Sequence, residues 1–319
     1  MSAAWWSPVA PCTPQACVTG ETPCVGPGRR RLRYAAGLAV FCAGLVFVVP
    51  DGPWWGPSRR DALVRRWLRA LARALGVRMV APAMPPRSPG GALVVSNHVS
   101  WLDILVVGAV SPRSRMLAKS DVAGWPVVGP VAVRSGTLFI DRERIRALPD
   151  TVAEIAGALR GGATVVVFPE GSTWCGRAQG HFRRAVFQAA LDAGVPVQPV
   201  GLHYLTDGTA STAPAFVGSD SLLTSVWRVV STRGLVAEVE VGEAIAPGSH
   251  PDRRSLAHAA QAGVTAQPQH QDHCTSVAPS PVKIRRTARR RPVSVASMRI
   301  IRHTGTATAR ATSSPAADA

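Results

Sequence analysis

At 319 residues and 46% hydrophobic content, the chain has ample apolar material for one large domain or two small ones. Its net charge of +17 is spread unevenly, so the excess marks particular segments rather than the whole surface. The six cysteines are scattered, which argues against a disulfide framework and fits a reducing, cytoplasmic setting.

Residues 1–28 hold five prolines, the pair Trp5-Trp6, and Cys12, Cys17 and Cys24. These cysteines lack zinc-like spacing, and the segment reads as a flexible leader. Residues 29–80 read as a membrane-associated helical segment. RRRLR at 29–33 precedes Tyr34 to Val49, 16 uncharged residues closed by Pro50-Asp51-Gly52-Pro53. As a helix that run is roughly 24 Å long, short of the ~30 Å hydrocarbon core of a bilayer. A second helix is expected over 58–77. Leu63, Trp67, Leu68, Leu71, Ala74 and Leu75 line one face, with Arg59, Arg66, Arg69 and Arg73 towards the other. A basic amphipathic helix with tryptophan at its apolar edge suits an anionic bilayer surface. An ordinary surface helix over the core is the alternative. Arginines on both sides of the apolar run set no clear orientation, and a monotopic attachment is favoured over a span.

Residues 81–264 carry the main domain. Short apolar strands are expected at 92–96, 115–118, 137–140, 164–168, 197–203 and 235–241, with helices near 101–110, 144–160, 181–193 and 220–231. This alternation predicts an α/β fold, a single twisted mixed sheet with helices on both faces. Residues 265–319 carry nine Lys/Arg against Asp272 and Asp318, without any aromatic residue, and read as a disordered basic tail.

Chemistry concentrates at the strand ends. ALVVSN runs into His98, and a helix capped by Ser100 is expected to carry Asp103 in its first turn. Folded back over that turn, His98 can donate from Nδ1 to Asp103 and keep Nε2 free as a base. A structural histidine beside an N-terminal aspartate is an equal reading of that spacing alone. GTLFIDR at 136–142 ends a strand with an Asp-Arg pair. VVVFPEGSTW at 165–174 is a buried strand broken by Pro169 and followed by Glu170, Gly171, Ser172 and Thr173. Gly171 permits a tight turn whose N–H groups can face an anion. VPVQPV at 195–200 has two prolines, which places it at a sheet edge or a groove wall. No second histidine is spaced to join His98, and no metal site is expected.

Asn97-His98-x4-Asp103, Gly136-x-x-Phe139-Ile140-Asp141-Arg142, Phe168-Pro169-Glu170-Gly171 and Val195-Pro196-Val197-x-Pro199-Val200 stand in order along the chain. Together they resemble the four motifs of the glycerolipid acyltransferase family, above all the lysophosphatidic acid acyltransferases. The resemblance implies that His98 deprotonates an acceptor hydroxyl, which attacks an acyl thioester directly while Asp103 orients the imidazole. It implies acceptor binding by Asn97, Arg142, Glu170, Gly171, Ser172 and Thr173. It further implies a lysolipid acceptor, 1-acylglycerol-3-phosphate, and acyl-CoA or acyl carrier protein as donor, with no bound cofactor. The catalytic domain would face the cytoplasm at the cell membrane, and no specific nucleic-acid partner is expected.

One departure bears on the acceptor. The family's third motif usually continues Thr-Arg-Ser, whereas Ser172, Thr173 and Trp174 follow Gly171 here. The missing arginine opens a lyso-ornithine lipid or another lysolipid as alternative acceptor. Two readings from other classes stand beside acyl transfer: a lipid esterase in which His98 activates water or Ser100, and a non-catalytic membrane- or nucleic-acid-binding protein.

Overall fold

The computed structural model describes residues 9–18, 22–47, 57–82, 90–111, 113–142 and 144–265. The expected tail beyond Thr265, like the Trp5-Trp6 pair, lies outside the described residues. A short helix α1 (Pro14–Cys17) precedes the long helices α2 (Pro27–Phe47) and α3 (Pro57–Ala74). The middle of the chain runs β1 (Arg78–Val80), β2 (Ala92–Ser96), α4 (Leu102–Val110), β3 (Arg115–Lys119), α5 (Val128–Arg134) and β4 (Leu138–Ile140). It continues through α6 (Leu148–Arg160), β5 (Thr164–Val167), α7 (Ala185–Ala193), β6 (Val197–Thr206) and β7 (Thr209–Ala210). The last elements are α8 (Leu222–Ser231), β8 (Leu235–Val241) and α9 (Arg253–Thr265).

The strands form one mixed sheet in the order β1-β8-β6-β2-β5-β3-β4, with β7 paired to β6. Among the described strands, only the β6 pairings with β8 and β7 are antiparallel. Period-two alternation sends side chains to both faces. Leu93, Val95, Val165 and Val167 meet Ile155 and Leu159 of α6 and Phe187 of α7 on one side. Val94 and Val166 meet Val106 and Val107 of α4 on the other. Each fully buried Val or Leu of this kind contributes about 1.5–3 kcal/mol. The α/β sheet covered on both faces matches the expectation. The sequence reading omits β1, β7, α5 and α9. In α9 the buried side is Leu256, Ala257, Ala260 and Val264, where small residues weaken the periodic signal.

Three expectations need correction. The proline-bearing strand is central rather than marginal, because β6 lies between β2 and β8. Pro199 is accommodated because the ladder with β8 begins one residue later, at Val200 opposite Val241. Its carbonyl still accepts from Gly242 N–H at 3.0 Å. Part of the leader is packed rather than flexible: Cys12, Cys17 and Val25 are buried. Val25 N–H donates to Ser231 O at 2.8 Å and Arg233 N–H to Pro23 O at 2.6 Å. Finally, the apolar face of α3 turns inward, not to a bilayer. Leu71 and Leu75 join the core cluster that holds Val106, Val107 and Val110 of α4. Together with β1, which pairs with β8, this makes residues 57–80 part of the sheet domain rather than a separate segment before residue 81.

Helix α2 lies on α3 and α8. Arg33 donates to Val230 O at 3.1 Å and Thr232 O at 2.7 Å, meeting carbonyls that the end of α8 leaves open. Trp67 of α3 donates from its indole to Val40 O at 2.9 Å, and its ring covers Gly44. A Cβ on Gly44 would stand 1.8 Å from Trp67 Cε2. Helix α2 leaves Leu32, Leu38 and Val46 exposed, and α8 leaves Leu222, Leu223 and Trp227 exposed. No helix among the described residues is long and apolar enough to cross a membrane.

The Gly44 contact yields a stability prediction. Gly44→Ala forces Trp67 from its seat and costs about 1–3 kcal/mol of unfolding free energy, measured by urea denaturation with tryptophan fluorescence as probe.

Candidate active site

Strands β2 and β5 run parallel with Val95 opposite Val167, so the residues after each emerge side by side at the carboxyl edge of the sheet. Open α/β sheets place their sites along this edge. Asn97 is the first residue beyond β2. Its Nδ2 donates to Leu202 O at 2.9 Å, and its Oδ1 accepts from Leu202 N–H at 2.8 Å. The amide thereby mimics one more rung of the β2–β6 ladder. With both ends committed and the residue buried, Asn97 is a scaffold residue, and the acceptor contact expected of it is corrected.

Asp103 reaches back from the first turn of α4. Its Oδ2 accepts from Val99 N–H at 2.7 Å, Ser100 N–H at 2.9 Å and His98 Nδ1 at 2.8 Å. Its Oδ1 accepts from the Tyr204 hydroxyl at 2.7 Å. The carboxylate is fully buried, 0% exposed, and these donors replace its water. The expected Ser100 cap is reduced to a long bond, Ser100 Oγ accepting from Leu102 N–H at 3.3 Å. Asp103 does more of the work of holding the loop.

His98 therefore has a fixed tautomer, with Nδ1–H pointing at Asp103. Its ring stacks on Phe168 with centroids 4.2 Å apart and planes 16° from parallel. Its side chain keeps 19% of its surface open, and Nε2 has no protein hydrogen-bond partner among the described residues. Such a nitrogen can take a proton from a bound hydroxyl, and the buried carboxylate favours the imidazolium that results.

The segment after β5 supports this loop. Glu170 is buried, and its Oε2 accepts from His98 N–H at 3.4 Å. Burial pushes its carboxyl well above the usual range and nearby Asp103 adds to this, while the His98 N–H opposes it. Gly171 adopts φ +75°, a left-handed conformation that favours glycine. Its N–H donates to Phe168 O at 3.1 Å, so among the N–H groups of this turn that of Gly171 closes the turn rather than facing an anion. Arg142, arriving from β4, donates to Gly171 O, and desolvation lowers its pKa. Thr173 donates from its hydroxyl to Phe216 O. Ser172 stands partly exposed between these anchors. Trp174 N–H donates to His98 O at 2.7 Å and Phe216 N–H to Val99 O at 3.0 Å, holding the histidine loop from a second side.

The structure thus brings His98, Asp103, Glu170, Gly171 and Arg142 into one connected set. Tyr204 and Phe216 are additions that the sequence reading lacks. Tyr204 has a recoverable signal, since a tyrosine in a buried strand needs a partner for its hydroxyl.

The acyltransferase family model matches residues 79–203. The lyso-ornithine lipid O-acyltransferase of Pseudomonas aeruginosa is 37% identical over 207 residues, 64% of this chain and 78% of that protein. The 1-acyl-sn-glycerol-3-phosphate acyltransferase of Neisseria meningitidis is 35% identical over 184 residues, 58% of this chain and 72% of its own length. Among solved structures, the 1-acyl-sn-glycerophosphate (LPA) acyltransferase PlsC of Thermotoga maritima superposes with a TM-score of 0.56 at 17% identity. That match covers 75% of this chain and 95% of the other, and it shows a shared fold.

Two outcomes follow from the buried carboxyl groups. Tyr204→Phe removes one donor to Asp103 and lowers unfolding free energy by about 1.5–3 kcal/mol, read from urea midpoints. Glu170 has a raised folded-state pKa, so the stability it contributes is present below about pH 4.3 and is lost as pH rises through the folded value. Glu170→Gln keeps an acceptor for His98 N–H but cannot ionise. The stability advantage of this variant over the unaltered chain should grow as pH rises across that interval, in paired denaturation curves.

Proposed function

The chain belongs to the acyltransferase family, and on that premise we propose that it moves a fatty acyl group from an acyl thioester to the free hydroxyl of a lysophospholipid. The observation that carries this reading is the His98 Nδ1–Asp103 contact of 2.8 Å, with the opposite edge of the ring open. His98 Nε2 takes the proton of the acceptor hydroxyl, and the oxygen attacks the thioester carbonyl. The new C–O bond forms, the C–S bond breaks, and the departing thiolate receives the proton held on the imidazolium. Asp103 holds the tautomer and offsets the transient positive charge. The donor is acyl-CoA or acyl-acyl carrier protein, and no resident cofactor enters any step.

The acceptor assigned first is 1-acylglycerol-3-phosphate, giving phosphatidic acid, with Arg142 and the 170–173 turn on the headgroup side. A lyso-ornithine lipid is the second reading. It is favoured by Thr173 standing where a lysophosphatidate site usually has arginine, and by that hydroxyl being turned to Phe216 O. The exposed apolar side chains of α2 and α8, with the exposed Arg29 and Arg31 on α2, support attachment to a membrane surface, and the cytoplasmic face is the side assigned in this proposal.

His98→Ala should lower transfer by about 10²–10⁴-fold and leave vesicle binding unchanged. It still unfolds cooperatively, at a midpoint lowered about as much as in Tyr204→Phe because Asp103 again loses one donor, and Tyr204→Phe, which keeps the imidazole, retains transfer. The assay supplies acyl thioester with and without each of a panel of lysolipids, and mass spectrometry identifies products. A two-chain lipid that depends on His98 supports the proposal. Free fatty acid as the sole product would make the protein an esterase, and wild-type rates in His98→Ala would remove the mechanism.

A further inference from the structure

Three cysteines that the sequence spacing keeps apart meet in the fold. Cys12, Cys17 and Cys175 are all buried, and their sulfur atoms lie within 4.8 Å of one another. Their placement is built rather than incidental. Cys17 N–H donates to Thr13 O at 2.9 Å, and Thr13 Oγ1 accepts from Ala16 N–H at 3.2 Å, so the capped turn of α1 fixes Cys17, with Cys12 just before that turn. Cys175 in turn follows Trp174, whose N–H holds the His98 carbonyl. Cys12 and Cys175 are hydrogen-bonded to each other.

Buried cysteine usually packs as a small hydrophobe. Three convergent sulfurs with no carboxylate or imidazole among them make a different chemical object, a soft donor set. Zinc–sulfur bonds of about 2.3 Å place the ligand sulfurs of one ion about 3.8–4.0 Å apart. The observed cluster reaches that spacing with displacements under about 1 Å. Charge selects among soft ions. Three thiolates leave −1 around a divalent ion and −2 around a monovalent one, and a buried site penalises the larger charge.

We infer that Cys12, Cys17 and Cys175 hold one thiophilic divalent metal ion, Zn²⁺ by charge, in a structural site that clamps the N-terminal segment to the residue after the active-site turn. The thiols release their protons on binding, and the three sulfurs supply three positions of the ion's coordination shell. Affinity therefore falls as pH is lowered. Sequence spacing does not reveal this grouping because two of the sulfurs lie in the leader and the third follows β5.

The full-length chain, purified reduced and without chelator, is tested with Zn²⁺ and with Co²⁺ as spectroscopic probe. The expected result is one equivalent of bound zinc per chain, a near-ultraviolet sulfur-to-cobalt charge-transfer band on substitution, and a higher melting temperature with zinc. Cys17→Ala and Cys175→Ala should each lose the band and the zinc-dependent shift, whereas Cys24→Ser and Cys42→Ser keep both. Because the band is read first in the unaltered chain, a variant that folds poorly does not decide the outcome. Three results would each overturn the site: no retained zinc and no band in the folded wild-type chain, a band that survives Cys175→Ala, or a disulfide between two of the three in reduced protein. None of these readouts depends on acyl transfer, so they stand or fall separately from the proposed reaction.

Discussion

A carboxylate removed from water needs its solvent replaced by fixed donors, and Asp103 shows how much structure that requirement organises. Two backbone N–H groups and the His98 ring from the β2–α4 loop, and the Tyr204 hydroxyl from β6, converge on it. Each donor carries its own segment into place. The loop after β2 is drawn over the start of α4, the imidazole is held in one tautomer, and the middle of β6 is tied to the same point. Leaving any of these groups unmet inside the protein costs more than the bond itself contributes. The catalytic geometry and the local fold are therefore one construction.

The surrounding elements hold this construction from behind. Asn97 stitches β2 to β6 beyond their ladder, and Glu170 meets the His98 N–H from the β5 side. Trp174 and Phe216 then take up the carbonyls of His98 and Val99. The result is a short loop whose backbone is engaged on both flanks, while one edge of the imidazole stays open. Arg142 spans from the far strand β4 to Gly171 O and closes the arc.

Much of this was legible from the residues. Runs such as ALVVS and TVVV announce buried parallel strands, and the His98–Asp103 spacing announces the contact that the fold makes. Where the reading fell short, the reasons are physical. An amphipathic face looks the same whether it meets lipid or α4, so Leu71 and Leu75 could not declare their partner. Pro199 argued for an edge because the rule concerns a missing N–H, and only the register shows that the β8 ladder starts after it. Asn97 looked like a ligand contact because its commitment to Leu202, far along the chain, is a property of the sheet. The same holds for Cys12 and Cys17, whose partner Cys175 is a neighbour only once β5 is in place.

The stacking of His98 on Phe168 has a geometric consequence for traffic through the site. With one flat side against the phenyl ring and Nδ1 tethered to Asp103, the imidazole is held in one orientation. Protons can enter and leave only along the in-plane direction of Nε2. In the proposed reaction the proton taken from the alcohol and the proton given to the thiolate therefore pass through the same nitrogen.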